Sequence, residues 1–218
     1  MHYSIEEITI ESELAAKPTG QTNKAIISLI NALPYSTRVL DYGCGKLRYA
    51  IPLANRVSSV VAIDSIFQVD KKQQIGSSFI SPRDYHKDNL LVCDLDDPMW
   101  KSGTYDIVLC TNVLSAIPFD NYRIQIIKNA YEVLNNDGLL MISIQYRNSY
   151  FSTYKNRKDV VPYNDGWLIK RTARKYAFYG IPSDTTIINW CYKVGFQHCK
   201  VKYQDGTYLI TAQKRILS

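Results

Sequence analysis

The chain has no apolar run near the roughly 20 residues that a membrane span needs, and its opening residues, MHYSIEEITIESE, are acidic where a signal peptide is basic and then apolar. A non-exported, cytoplasmic protein with no membrane partner is therefore expected. Cysteine is scarce and disorganised: Cys44, Cys93, Cys110, Cys191 and Cys199 are odd in number, scattered and without a CxxC pair. That argues against a disulfide framework and fits a reducing compartment. The three residues Cys191, His198 and Cys199 match no structural zinc spacing, so no metal is expected. No Pro/Gly/Ser linker, repeat or low-complexity tract divides the sequence, and residues 1–218 are read as a single domain. With 46% hydrophobic and 21% charged residues and a net charge of +6, the composition is globular, not disordered.

Short runs rich in β-branched residues alternate with segments of helical period, the pattern of a mostly parallel sheet covered by helices. The expected strands are 38–42 (RVLDY), 59–64 (SVVAID), 90–94 (LLVCD), 105–110 (YDIVLC) and 138–144 (GLLMISI), apolar almost throughout, as strands buried on both faces must be. Helices are expected over 22–33, over 121–134 with Asp120 as N-cap and Gly138 in the turn beyond, and over 184–194 between Ser183 and Gly195. Two last strands near 197–203 and 207–213, joined by Gln204-Asp205-Gly206, form an antiparallel hairpin.

The most informative stretch is 39–45, VLDYGCG, at a strand-to-helix junction. Gly43 and Gly45 permit a sharp turn and close approach of main-chain N–H groups to a ligand. The dinucleotide fingerprint GxGxxG fails, because its third glycine position is Arg48. Asp41 would repel the phosphates of a dinucleotide but suits a ligand carrying an ammonium group, such as S-adenosylmethionine. Asp64, ending the second strand, is placed for two ribose hydroxyls. Asp94, ending the third, is placed for an adenine amino group, with Cys93 or Leu95 against the ring. Singly, Asp41 or Asp94 can serve only to cap the following turn. Three consecutive strands each ending in Asp at one sheet edge make a joint pattern.

On these motifs the sequence resembles the S-adenosylmethionine-dependent methyltransferases of the Rossmann-like type, over roughly residues 22–144 and the closing hairpin. VLDYGCG resembles the first motif, VAID the second, VCDLDDP the third, and YDIVLCTNVLSAIP and VLNNDGLLMISI the fourth- and fifth-strand segments. The resemblance implies a Rossmann-like, doubly wound α/β fold. Its mostly parallel sheet would have seven strands, ending in the antiparallel hairpin and carrying an insertion after the fifth strand. It implies S-adenosylmethionine as cofactor. Asp41, Gly43, Cys44 and Gly45 then lie at the methionyl end, Asp64 and Ser65 at the ribose, Asp94 and Leu95 at the adenine, and Cys110, Thr111 and Asn112 beneath the sulfonium. Two positions depart from the family pattern. Leu47 replaces the third glycine and is expected to narrow the approach to the cofactor; Ser115 and Ala116 stand where relatives often carry histidine. The chain also lacks the Asn/Asp-Pro-Pro-aromatic motif of nucleobase amino methyltransferases and a cysteine nucleophile motif for carbon-5 methylation.

The stretch of about 146–182 fits no part of the alternation. It carries Arg147, Lys155, Arg157, Lys158, Lys170, Arg171, Arg174 and Lys175 against only Asp159 and Asp165, interleaved with aromatics from Tyr146 to Tyr179. Such a segment is either a substrate lid with an aromatic core or a nucleic-acid surface combining phosphate contacts with stacking, so the acceptor is an anionic small molecule or an RNA nucleotide. Methyl transfer from a sulfonium needs positioning more than a strong base; Tyr146, Tyr163 and Asp165 are the candidates to take an acceptor proton. A non-catalytic nucleotide-binding or partner subunit on the same fold is the alternative. An NAD-dependent oxidoreductase is disfavoured by Arg48 and Asp41.

Overall fold

The computed structural model describes residues 2–5, 7–145, 153–204 and 206–215. It opens with a hairpin, β1 (His2–Ile5) and β2 (Ile8–Glu11), then runs through α1 (Lys24–Ala32), β3 (Arg38–Tyr42), α2 (Ala50–Arg56), β4 (Ser59–Asp64) and the single turn α3 (Ile66–Val69). A small hairpin, β5 (Gln73–Ile75) and β6 (Ser78–Ile80), precedes β7 (Leu90–Asp94), α4 (Pro98–Ser102), β8 (Tyr105–Thr111), α5 (Asp120–Val133) and β9 (Leu134–Gln145). The chain ends with the meander β10 (Val160–Tyr163), β11 (Gly166–Lys170) and β12 (Lys175–Gly180), then α6 (Asp184–Val194), β13 (Gln197–Gln204) and β14 (Thr207–Gln213). Among the described residues no helix is long and apolar enough to cross a membrane.

The main sheet has seven strands in the order β13-β14-β9-β8-β3-β4-β7. The five from β9 to β7 are parallel, and β14 returns antiparallel between β9 and β13. Its central strands are buried on both faces because successive side chains point to opposite sides. Val39 joins a core with Ile26, Ile30 and Leu53 of α1 and α2, whereas Leu40 joins one with Ile126, Ile127 and Trp190 of α5 and α6. Local caps set the helix ends: Asn23 Oδ1 accepts from the amides of Ala25 and Ile26, and Ser183 Oγ accepts from Thr186. Gly195, at φ 115°, ends α6 in the left-handed conformation expected of it.

Two local expectations differ. Asp120 is the first residue of α5 and not its cap; Phe119 holds that position with no side-chain cap, because Asp120 turns to the guanidinium of Arg123 one turn on, 3.1 Å away. Gly138 lies inside β9 and not in a turn, since β9 begins directly where α5 stops. Asp205, the middle of the expected hairpin turn, is outside the described residues.

The basic insertion builds a second sheet, in the order β1-β2-β12-β11-β10, by recruiting the N-terminal hairpin. β2 runs parallel to β12, and Lys175 Nζ closes on Glu11 Oε1 at 2.5 Å. Arg123 of α5 fastens this sheet to the main one. Its guanidinium donates to both carboxylate oxygens of Asp165 at 2.7 and 2.9 Å, and its Nε donates to the Leu114 carbonyl at 3.0 Å.

Candidate functional site

At the carboxyl edge of β3, β4 and β8 lies an open cleft, lined by the ends of these strands and by the N-terminal segment. Its floor is the turn after β3. Gly43 and Gly45 stand at φ 75° and 56°, and a Cβ on Gly43 would come within 2.3 Å of Val113 Cγ2, so no other residue fits there unaltered. The turn is clamped from below. The amides of Gly43 and Cys44 both donate to the Ile63 carbonyl, at 2.7 and 3.0 Å, and that of Gly45 donates to Asp64 Oδ2 at 2.9 Å. These N–H groups therefore hold the loop's shape and are not free donors for a ligand.

Asp64 faces the cleft with its second oxygen accepting from its neighbour Ser65 at 2.7 Å. Burial raises its pKa, while the Gly45 and Ser65 amides oppose the rise. A carboxylate has about four acceptor sites, so two remain for hydroxyl donors. Gln68 also lines the cleft, is buried, and its Nε2 has no partner among the described residues. Thr111, Asn112 and Leu95 complete this face, with Asn112 held at φ 59° by its amide's bond to the Ser143 carbonyl, 2.8 Å.

Of the residues singled out in the sequence, Gly43, Cys44, Gly45, Asp64, Leu95, Thr111 and Asn112 line this cleft. Asp41, Ser65, Asp94 and Cys110 do not line it. Asp41 is 1% exposed, and neither of its carboxylate oxygens has a hydrogen-bond partner among the described residues. Burial pushes its carboxyl up to about 7, with Arg48 opposing and Asp64 adding to the rise. Asp94 accepts from Arg83 at 3.0 Å and from the amides of Asp96 and Asp97, so it caps the turn after β7, and Arg83 holds its carboxyl below the usual range. The thiols of Cys44 and Cys110 are raised by burial, which makes thiolate chemistry unfavourable.

Leu47 corrects an expectation. It takes the left-handed conformation of the absent glycine, φ 58°, but its side chain turns inward, fully buried beside Tyr49 and Leu53, and does not narrow the cleft.

The cleft's roof lies outside every motif of the sequence. It comes from the first residues: Tyr3, Glu13, Ala16 and Lys17 lean over the glycine turn, with Ala16 Cβ within 3.5 Å of where a Gly45 Cβ would be. His2 stacks on Phe67 of α3, ring centroids 4.3 Å apart, and bonds Glu13 at 2.5 Å, so the hairpin is fastened across the site. The alternation Tyr3-Ser4-Ile5 and Ile8-Thr9-Ile10 was the signal that could have revealed it.

A second cleft, about 690 Å³, opens beneath the insertion and shares Ala15, Lys17, Asn112 and Ala116 with the first. Phe178, Tyr179 and Tyr154 wall it, and Arg171 stands at its edge. Lys17, common to both, makes no side-chain hydrogen bond or ion pair among the described residues; burial lowers its pKa and Arg48 lowers it further. Neither Tyr163 nor Asp165 lines either cleft: Tyr163 packs edge-on against Phe178, and Asp165 is held by Arg123. Tyr146 is outside the described residues.

The strand order and the glycine-floored cleft define a Rossmann-like methyltransferase fold. The chain is similar to a SAM-dependent methyltransferase from Methanosarcina mazei (TM-score 0.59, 16% identity, 87% of this chain and 98% of that one). It is likewise similar to human N-acetylserotonin methyltransferase in complex with SAM (0.62, 12%, 87% and 51%) and to the DhpI–SAH complex (0.60, 15%, 88% and 84%). Residues 17–205 match the model of the methyltransferase domain family, and the chain belongs to that family. A relative in Escherichia coli (strain K12), the uncharacterized protein YmfD, is 29% identical over 217 residues, 97% of this chain and 95% of its own.

Proposed function

We propose that this methyltransferase, with S-adenosylmethionine as its cofactor, methylates a small anionic acceptor held beneath the insertion. One observation carries the reading: a glycine-floored cleft and an aromatic-walled cleft meet at Lys17 and Asn112. The glycine turn that a Cβ would block, the unpartnered amide of Gln68 and the acceptor sites left on Asp64 fit the cofactor.

In this reading Gly43, Cys44 and Gly45 give the methionyl end its floor, and Asp64 accepts from the ribose hydroxyls. Gln68 and Leu95 would hold the base, and Thr111 to Val113 would form the wall near the reacting centre. Asp41, Ser65, Asp94 and Cys110 support these loops. When bound, S-adenosylmethionine supplies a methyl group on a sulfonium, whose C–S electron pair leaves on sulfur as the acceptor's lone pair forms the new bond. Lys17, cationic at the junction, favours an acceptor that arrives deprotonated, so that no residue need take a proton. The N-terminal roof excludes water from the transfer. Asp165 and Tyr163 act by holding the insertion in place.

The insertion is better suited to a lid than to RNA. Its two most buried described aromatics, Phe178 at 1% and Tyr154 at 8% exposed, wall the cleft beneath it, a placement that suits a small enclosed acceptor more than a strand of RNA laid along the outer surface. Calorimetry with S-adenosylhomocysteine and NADH tests the cofactor: the former is expected to bind at micromolar affinity, and Asp64→Ala to weaken it by roughly 30-fold or more, the loss of a charge-assisted pair. NADH binding that displaces S-adenosylhomocysteine would overturn the reading.

A further inference from the structure

We infer that the second cleft takes a small planar aromatic acid, with its charge shared between Lys17 and Arg171 and its ring against Tyr154, Phe178 and Tyr179. The inference deepens the proposed function and rests on it for the methyl donor.

The charges in this cleft are of one sign. Among the described residues no carboxylate and no imidazole lines it, whereas Lys17 and Arg171 both do, and neither side chain is ion-paired among the described residues. The acids of the insertion form their ion pairs elsewhere, Asp159 with Arg157 and Asp165 with Arg123, although Asp159 is near enough for the charge of Arg171 to act on it. With no carboxylate in the lining to compete, the two cations favour an anion there, and Lys17, the more enclosed of the two, is the stronger attractor. A cationic acceptor would meet Lys17 as a like charge.

The wall selects shape. The rings of Trp167, Tyr154 and Tyr179 stack in series, with centroids 5.4 and 6.0 Å apart and planes 20° from parallel, and Tyr179 is held by its hydroxyl on Gln145. A stacked, immobilised edge accepts a flat ring at little entropic cost and rejects bulky aliphatic groups. A polar contact waits on the scaffold side: Ser115 lines the cleft, is 3% exposed, and its hydroxyl has no partner among the described residues. A buried hydroxyl costs free energy until something bonds it, and an acceptor oxygen would do so. Arg171 lines only the second cleft and Lys17 lines both. An acid with two oxygen functions would therefore anchor one at Arg171 and present the other at Lys17, where the two clefts meet.

The experiment is calorimetric titration of 4-hydroxybenzoate, benzamide and benzylamine into the full chain, free and loaded with S-adenosylhomocysteine, with Arg171→Met alongside. The expected result is 4-hydroxybenzoate binding at about 1 mM or tighter, no benzylamine binding, and roughly tenfold weakening in Arg171→Met while S-adenosylhomocysteine affinity stays within about twofold. Absence of 4-hydroxybenzoate binding to protein that binds S-adenosylhomocysteine would overturn the inference, as would equal binding of benzamide or an unchanged Arg171→Met. Binding of 4-hydroxybenzoate but not of S-adenosylhomocysteine would support the aromatic-acid site and sink the donor assignment instead.

Discussion

The guanidinium of Arg123, 1% exposed in the first turn of α5, grips the carboxylate of Asp165 in the insertion through two parallel hydrogen bonds of 2.7 and 2.9 Å. Their residues are 42 positions apart, and this pair, with Arg123 also lying over the rings of Phe178 and Trp190, ties the lid sheet to the scaffold. A buried, bidentate pair fixes orientation as well as proximity.

Removing one partner leaves the other charge buried. Asp165→Ala is expected to destabilise the protein by about 3 kcal/mol, moderated because Arg123 keeps Asp120 and the Leu114 carbonyl. Urea unfolding measures it, and the paired change Arg123→Met with Asp165→Leu should cost less than Asp165→Ala alone. Equal losses would show that the pair is not the fastening.

Asp41 makes the free protein's stability depend on pH. Its carboxyl titrates near 3.8 when unfolded and is raised to about 7 when folded, so between those values the folded state holds the extra proton. Stability then falls as pH rises through this window, by at most about 1.4 kcal/mol per pH unit. Asp41→Asn removes the effect. Its melting temperature should exceed that of the native sequence by a margin that grows from pH 4 to 7 and is constant above; a margin independent of pH would refute the assignment.

Leu47 separates strain from access. Leu47→Gly relieves a left-handed residue, worth about 1 kcal/mol, but empties a buried leucine site, which costs roughly 2–5 kcal/mol. A net loss near 2 kcal/mol is expected by denaturation, with S-adenosylhomocysteine affinity within about twofold. A large gain in affinity would mean that the side chain does obstruct the cleft.

Gly43→Ala puts a methyl group within 2.3 Å of Val113 Cγ2 in a backbone conformation that L residues disfavour. Cofactor affinity should drop by roughly tenfold or more, and the added change Val113→Ala should recover part of it by removing the clash. No recovery would place the whole cost in the backbone.

Much of the scaffold was legible because its signals are local. Strands buried on both faces must be continuously apolar, so 38–42, 59–64 and 90–94 could be drawn to the residue, and Ser183 and Gly195 mark the ends of α6 by hydrogen-bond needs that lie within one turn. The glycine turn and Asp64 followed from steric and charge requirements at a strand end.

What the sequence by itself determined, then, was the order of elements, the sheet edge where a ligand sits, and the excess of positive charge in the insertion. The tertiary structure alone decided which side chains reach the cleft. Asp64 and Asp94 end β4 and β7 while Asp41 sits one residue inside the end of β3, and only Asp64 lines the cleft: Arg83 claims Asp94, and Asp41 is enclosed within the sheet's packing. The same holds for the roof. The N-terminal hairpin is placed at the site by the pairing of β2 with β12 far along the chain; the alternation at 3–5 and 8–10 marks strands but does not say which distant segment they join.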